Sequence, residues 1–345
     1  MAYSVLLKFA DGNELELSCE PEETIIDAAL RQNTILISQC RSGICASCKG
    51  LVIDGDYNLG EHTIHSLNPR EEEEGYTLTC QTYPKTDMVV EYPYDWDRVS
   101  VLKAERFRAQ VTVLETLTPV PVLRMVFKSE FPRLQVTNFT PGQYMSFRVP
   151  DTDEWRAWSM ANPPNGQGEL EFLARLIPGG VFSEHIRQRT KVGDWLELEG
   201  PYGAFYRRAS DRGMIFIAGS TGLAPVLAML RHMAQEKVER PAQLYFGVTN
   251  QEDLFFVDEL ETLKTRLPQL DVKISVVNPD KEMWQGEVGF VTDAVKAHVK
   301  NLPAWDFYLC GPPPMIEATM DLLKSEGVPE KHIFTEKFTP SGKET

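Results

Sequence analysis

The chain has 345 residues, more than one hydrophobic core usually serves, so two or three domains are expected. Hydrophobic residues make up 42% and charged residues 25%, the balance of a globular chain rather than a disordered one. A formal net charge of −15 argues against nucleic-acid binding, which needs clustered Lys and Arg, and no run approaches the roughly 18 consecutive apolar residues of a membrane span. The opening MAYSVLLKFADGNELEL alternates apolar and polar residues as a strand does and lacks the basic and long apolar regions of a secretion signal. A cytoplasmic location is expected, where six cysteines favour metal or redox chemistry over disulfides.

In chain order, Tyr3–Phe9 and Leu15–Ser18 read as strands joined by the Asp11-Gly12 turn, followed by a short helix over Thr24–Arg31. A cysteine-rich loop comes next, then strand Leu51–Ile53, a polar stretch, and strands Tyr76–Cys80 and Met88–Tyr92. Residues 95–105 read as a connector. From Phe107 to Tyr206 several short strands with turn signals predict an antiparallel barrel (RAQVTVLETL, VLRMVFK, QYMSFRVP, GELEFLARL, DWLELEGPYG). From Gly213 strands alternate with helices, which predicts a doubly wound parallel sheet. The charge is uneven: residues 1–98 hold 18 Asp and Glu against 7 Lys and Arg, a net of −11, and the rest of the chain only −4.

Cys40, Cys45 and Cys48 form C-x4-C-x2-C, and Cys80 follows 32 positions after Cys48. Four thiolates at this plant-type spacing suit a two-iron two-sulfur cluster. The small residues Ser42, Gly43, Ala46 and Ser47 let the loop wrap closely with its N–H groups toward the sulfurs. A four-cysteine zinc site usually pairs two C-x2-C knuckles, and a thioredoxin-like C-x-x-C would leave Cys40 and Cys80 unexplained. Six scattered histidines form no ligand cluster, and the Asn138-Phe139-Thr140 sequon would be idle in the cytoplasm.

Three further motifs lie downstream. Arg156-Ala157-Trp158-Ser159 follows the strand opened by Pro141-Gly142, and Pro178-Gly179-Gly180-Val181-Phe182-Ser183 opens a helix whose first-turn amides, with Ser183 as cap, offer an anion site. Gly219-Ser220-Thr221-Gly222-Leu223-Ala224-Pro225 turns from strand to helix, a place where glycines let backbone approach a pyrophosphate. Cys310-Gly311-Pro312-Pro313 ends a later strand at the same sheet edge.

These motifs resemble the ferredoxin–NADP reductase superfamily. Over the whole chain they are similar to the reductase components of soluble diiron monooxygenases, notably in ALRQN, DGDYNL, EEEEGYTLTCQTYPKTD and EKFTPSG. The resemblance implies an N-terminal β-grasp-like α+β ferredoxin domain over 1–98, an FAD-binding antiparallel β-barrel over 106–207, and an α/β NAD-binding domain with a parallel sheet over 213–345. Arg156 would pair with a flavin phosphate, Trp158 would pack on the isoalloxazine, and Ser159 would hydrogen-bond near N5. Gly180, Val181 and Ser183 would hold the pyrophosphate. Cys310 would lie against the nicotinamide, with Gly311 and Pro312 beside it, and Gly219, Thr221, Gly222 and Pro225 would carry the nucleotide. Glu336 and Phe338 would close over the flavin. Trp158 stands where Tyr or Phe is usual, and Ser220 where Gly is common. In Thr249-Asn250-Gln251-Glu252-Asp253, acids such as Asp253 repel a 2′-phosphate and suit a 2′-hydroxyl, so NADH is expected. The implied activity is hydride uptake from NADH by FAD and one-electron delivery through the cluster to the hydroxylase of a hydrocarbon monooxygenase, docked on the acidic ferredoxin domain. The same domain order also fits the reductase of a benzoate-type ring-hydroxylating dioxygenase.

Overall fold

The structure is a computed structural model and describes residues 2–38, 40–99, 104–131, 139–152, 154–280 and 282–338. Asn138 of the sequon, residues 100–103 of the connector and the closing stretch from Thr339 lie outside these residues. The chain divides into two compact units, Met1–Glu105 with Gly200–Ala204, and Arg106–Glu199 with Phe205–Thr345.

The first unit contains β1 (Tyr3–Lys8), β2 (Glu14–Cys19), α1 (Ile25–Arg31), β3 (Lys49–Asp54), β4 (Tyr57–Leu59), α2 (Pro69–Glu73), β5 (Tyr76–Leu78), β6 (Thr82–Pro84) and β7 (Met88–Glu91). Five strands form one sheet in the order β2-β1-β7-β3-β5, with β1 and β7 parallel and β1–β2, β3–β7 and β3–β5 antiparallel, a β-grasp arrangement. Helix α1 begins where Thr24 accepts the Asp27 N–H, and it buries Ile25, Ile26, Ala28 and Ala29 against Val5, Leu7, Leu78 and Val90. The polar stretch holds two elements that the sequence pattern conceals. Among the described residues, three-residue β4 pairs only with β6, and α2 buries no residue but is set by a capping box between Asn68 and Glu71. Strand β5 stops at Leu78, so Cys80 sits in the turn after it rather than within a strand.

The chain continues with β8 (Glu105–Thr116), β9 (Val122–Ser129), β10 (Tyr144–Arg148), β11 (Trp155–Ser159), β12 (Glu169–Arg175), α3 (Val181–Arg189) and β13 (Trp195–Tyr202), all in the second unit except Glu105 and the last residues of β13 from Gly200. These strands follow the order β11-β10-β13-β8-β9-β12, and an antiparallel bridge from Met160 to Phe172 closes the first against the last as a barrel. Its core is aromatic: Phe147 lies 5.2 Å from Phe127 and 4.8 Å from Phe172 between ring centroids.

The rest of that unit comprises β14 (Gly213–Gly219), α4 (Leu223–Glu236), β15 (Ala242–Asn250), α5 (Val257–Arg266), β16 (Leu270–Asn278), β17 (Glu287–Val288), α6 (Val291–His298), β18 (Trp305–Gly311), α7 (Pro313–Ser325) and β19 (Ile333–Lys337). The sheet order is β17-β16-β15-β14-β18-β19, every pair parallel. One core packs α4 and α5 against Phe216, Leu244 and Phe246, and another packs α6 and α7 against Ile215, Ile217 and Leu309. Strand β17 lacks a strong sequence signal, because it is only two residues long and half exposed, whereas α6 carries Val291, Ala294 and Val295 at helical spacing. Strand order reverses between β14 and β18, so their carboxyl ends flank the switch point where open α/β sheets bind ligands.

Candidate active site

In the first unit the four expected cysteines come together as two pairs. The Cys45 thiol bonds to Cys40, which pulls Cys40 down to about 5, with the Ser42 and Ile44 N–H groups assisting at 3.5 and 3.4 Å from its sulfur. The Cys40 N–H lies 3.5 Å from the Cys45 sulfur. The Cys48 thiol likewise bonds to Cys80, lowering Cys80 and raising Cys48. Two pairs suit a cluster in which each iron takes two thiolates. Among the described residues, no three His, Cys, Asp or Glu side chains converge on a single metal point. A positive φ of 74° at Gly43, and the Glu61 carbonyl and His62 packed where a Cβ would sit, explain why glycine opens the loop there. The segment beside Cys80 is held by contacts that no local sequence pattern announces. Thr79 donates its hydroxyl at 2.9 Å and its N–H at 3.1 Å to the Cys48 carbonyl, while the buried Tyr92 hydroxyl donates to Thr79 at 2.9 Å. Cys19 stands apart, buried at the end of β2, and its thiol is pushed up to about 12 by burial.

In the second unit, Arg156, Trp158 and Ser159 lie along β11. Arg156 is half-buried and its guanidinium pairs with Glu154, so an incoming phosphate would compete with that carboxylate. Trp158 packs its ring 4.3 Å from Phe182 of α3. Helix α3 has Gly180 as its cap residue with no side-chain cap. The expectation that Ser183 caps it is corrected: Ser183 lies in the third helical position and its hydroxyl accepts the Ile177 N–H at 3.0 Å, tying the preceding turn to the helix. Gly179 takes a φ of 76°, reserved by this turn for glycine. The first turn lacks a side-chain cap but holds Glu184, whose carboxylate takes the Gly179 N–H, so an incoming pyrophosphate would have to displace that carboxylate.

At the switch point the two glycine turns touch. A Cβ on Gly222 would collide with the Cys310 carbonyl, and one on Gly219 would press on Pro312 and Met315. These glycines serve close backbone packing between the ends of β14 and β18. Ser220 adopts a φ of 51°, which accounts for glycine being common there. Thr221 and Pro225 are buried at the start of α4. Asp253 is not a free anion facing solvent. It is 7% exposed, and its carboxylate accepts the N–H and side-chain amide of Asn250, both at 3.2 Å; the exposed acid of this loop is Glu252.

Three residues from three distant motifs meet here. Ser159 at the end of β11 donates its hydroxyl to Glu336 at 2.6 Å, and the Cys310 sulfur lies 3.9 Å from the same carboxylate oxygen. Register places Glu336 beside Cys310 on neighbouring strands. Glu336 is fully buried, and burial pushes its carboxyl up to about 7, despite the hydrogen bonds from Ser159 and Cys310. Burial and the nearby Glu336 raise the Cys310 thiol. Phe338, just beyond β19, donates its N–H to the Gly311 carbonyl at 2.9 Å and packs on the same core. The three side chains form one buried contact around a carboxyl that, at about 7, can hold or release a proton.

A barrel fused to a switch-point sheet, with a thiol-pair loop in a separate unit, defines an iron–sulfur flavin oxidoreductase. Residues 8–85 match the 2Fe-2S iron-sulfur cluster binding domain, 120–206 the oxidoreductase FAD-binding domain and 216–321 the oxidoreductase NAD-binding domain. The toluate 1,2-dioxygenase electron transfer component of Pseudomonas putida is 36% identical over 99% of this chain and 100% of its own. The propane 2-monooxygenase reductase component of Mycolicibacterium smegmatis is 34% identical over 98% of both, and methane monooxygenase component C of Methylosinus trichosporium is 38% identical over 81% and 82%. Among solved structures, an Amycolatopsis cytochrome P450 reductase superposes with a TM-score of 0.81 at 28% identity, over 99% of this chain and 100% of its own. The chain belongs to the family of reductase, or electron transfer, components of oxygenases. It is an oxidoreductase that uses FAD, NAD and a two-iron two-sulfur cluster. Among the described residues no helix is long and apolar enough to cross a membrane.

Proposed function

We propose that the chain is the cytoplasmic, NADH-specific reductase that supplies single electrons to the diiron hydroxylase of a hydrocarbon monooxygenase, with domains at 1–98, 106–207 and 213–345. FAD, when bound, would supply a centre able to accept a hydride and release its electrons one at a time. Cys40 with Cys45, and Cys48 with Cys80, would hold the two irons. Arg156 exchanges Glu154 for a flavin phosphate, Trp158 offers its ring to the isoalloxazine, and Gly180, Val181 and Ser183 frame the pyrophosphate. Gly219, Thr221, Gly222 and Pro225 present the α4 turn to the nucleotide, while Gly311 and Pro312 wall the nicotinamide side. Ser159, Glu336 and Cys310 hold a proton in place and keep water out of the transfer path, and Phe338 covers it. The observation that carries this reading is the meeting of Ser159, Glu336 and Cys310 in one buried pocket. Asp253 acts indirectly, by shaping the loop that presents Glu252.

The acidic first unit is the proposed docking face for the hydroxylase, with Glu61, Glu72, Glu73 and Glu74 exposed. A dioxygenase partner is the second reading, since the toluate component is 36% identical over 99% of the chain and the propane monooxygenase component 34% over 98%, so similarity alone supports both partners. Anaerobic titration of the brown-yellow holoprotein tests the redox reading: NADH should bleach the flavin band and reduce the cluster, and a colourless, iron-free protein would refute it. Reconstitution with diiron hydroxylase or dioxygenase oxygenase components then decides the partner by which one supports NADH-coupled hydroxylation.

A further inference from the structure

Five side chains of alternating charge cross from the barrel to the parallel sheet: Glu115 on β8, Arg124 on β9, Glu171 on β12, Arg231 on α4 and Glu259 on α5. Arg124 reaches Glu115 at 3.2 Å and one oxygen of Glu171 at 2.6 Å. Arg231 takes the other oxygen of Glu171 at 2.6 Å and grips Glu259 with two bonds of 2.6 and 2.8 Å. The same Arg231 nitrogen that binds Glu171 also donates to the Ala161 carbonyl at 2.9 Å. Glu171 is 6% exposed, and its own backbone carbonyl accepts the Ala161 N–H at 2.7 Å.

Burying such charges brings little net stability, since desolvation cancels most of the attraction. Geometry is what they fix. Ala161 lies two residues beyond Ser159, and the Met160 between them makes the bridge that closes the barrel. Arg231 sits on α4, a rigid helix whose first turn continues directly from Gly219–Gly222. Its planar fork satisfies Glu259 bidentately while still reaching Glu171 and Ala161, a set of contacts that a lysine ammonium cannot reproduce.

We propose that Arg231 is a positioning residue for hydride transfer: with Glu171 and Glu259 it fixes the spacing between the Ser159 segment and the helix that carries the nucleotide turn. The inference rests on the reading that NADH reduces the flavin in this unit. Transfer of a hydride with both electrons needs donor and acceptor within a near-attack distance, and a displacement of about 1 Å can cost on the order of 100-fold in rate.

The experiment uses full-length holoprotein as wild type, Arg231→Lys, and the double variant Arg231→Met with Glu171→Met, which removes both buried charges together. In anaerobic stopped-flow mixing with NADH, Arg231→Lys should retain its FAD and iron but bleach flavin roughly 10- to 100-fold more slowly. Its long-wave nicotinamide–flavin charge-transfer absorbance should weaken, and the Ala161 amide should exchange hydrogen faster. The double variant should recover melting temperature but not rate. A wild-type bleaching rate in Arg231→Lys, or recovery of rate together with melting temperature in the double variant, would overturn the proposal. Should Arg231→Lys fail to fold, the double variant decides. Should wild type itself not be bleached by NADH, the functional reading fails, and unchanged Ala161 exchange in the variants would then sink the clamp separately.

Discussion

The cluster loop and the hydride pocket handle charge in opposite ways. Around Cys40, amide N–H groups and a neighbouring thiol pull the pKa down to about 5, a setting that favours thiolate and hence metal. Around Glu336, burial pushes the carboxyl up to about 7, a setting that disfavours charge and keeps a proton available. The first is a partly open turn lined with N–H donors, the second a sealed contact between a barrel strand and two sheet strands. Within each thiol pair one member is lowered, Cys40 or Cys80, and its partner raised, Cys45 or Cys48. Each pair thus gathers charge on one sulfur, whereas burial at Glu336 keeps charge out. The proposed metal ligation and hydride passage call for these two settings.

The largest effect should come from breaking the charge-gathering side. Cys45→Ser removes one thiolate of the first pair, so iron and acid-labile sulfide should be lost. NADH should still bleach the flavin, but reduction of large acceptors such as cytochrome c should fall to background. Loss of both activities together would show that the two sites are not separable. Next comes the charge-excluding side. Ser159→Ala or Glu336→Gln should slow flavin bleaching on the order of 100-fold with cluster content unchanged, because each removes a positioned proton-handling group. A change confined to KM would instead assign these residues to binding alone.

A third prediction follows from the sign of the Glu336 shift. In the unfolded chain the carboxyl loses its proton near 4.5, whereas in the folded protein it keeps the proton until about 7. The native state binds more protons across that window, so stability should fall as pH rises from about 4.5 to about 7 and level off above it, by on the order of 3 kcal/mol. Denaturant melts across this range should show the slope in wild type and lose it in Glu336→Gln. A slope that survives the substitution would place the titration elsewhere.

The contrast also explains what could be read in the sequence. The cluster site is local: three of four ligands lie within nine residues, and loop spacing is itself the geometry. Barrel and parallel sheet were legible from period and turn signals, because β12 and β14 to β16 have distinct apolar patterns. The hydride pocket was legible only through family resemblance, since Ser159, Cys310 and Glu336 are far apart in sequence and nothing local says that they touch. The sequence points to Ser183 as the cap of α3 because it has a cap-forming side chain, but that hydroxyl accepts the Ile177 N–H instead. The clamp leaves a trace in the sequence: Arg231 interrupts the apolar helix LAPVLAMLRHMA, and Glu171 the apolar strand ELEFLAR. A charged residue on the buried face of an element needs a partner, and here each supplies the other's.

The smallest expected effect concerns cofactor choice, and it separates two neighbouring acids. Both Glu252 and Asp253 follow β15, where a 2′-phosphate would approach the sheet edge. Asp253 is buried and its carboxylate is consumed by Asn250, so Asp253→Asn should loosen the loop and lower the melting temperature without favouring NADPH. Glu252 is exposed, and a solvated charge at contact distance is worth about 1 kcal/mol in water, roughly a fivefold change in affinity. Glu252→Gln should therefore improve KM for NADPH several-fold while leaving KM for NADH nearly unchanged. If Asp253→Asn rather than Glu252→Gln relaxes the preference, discrimination resides in loop shape, and repulsion of the 2′-phosphate is not its cause.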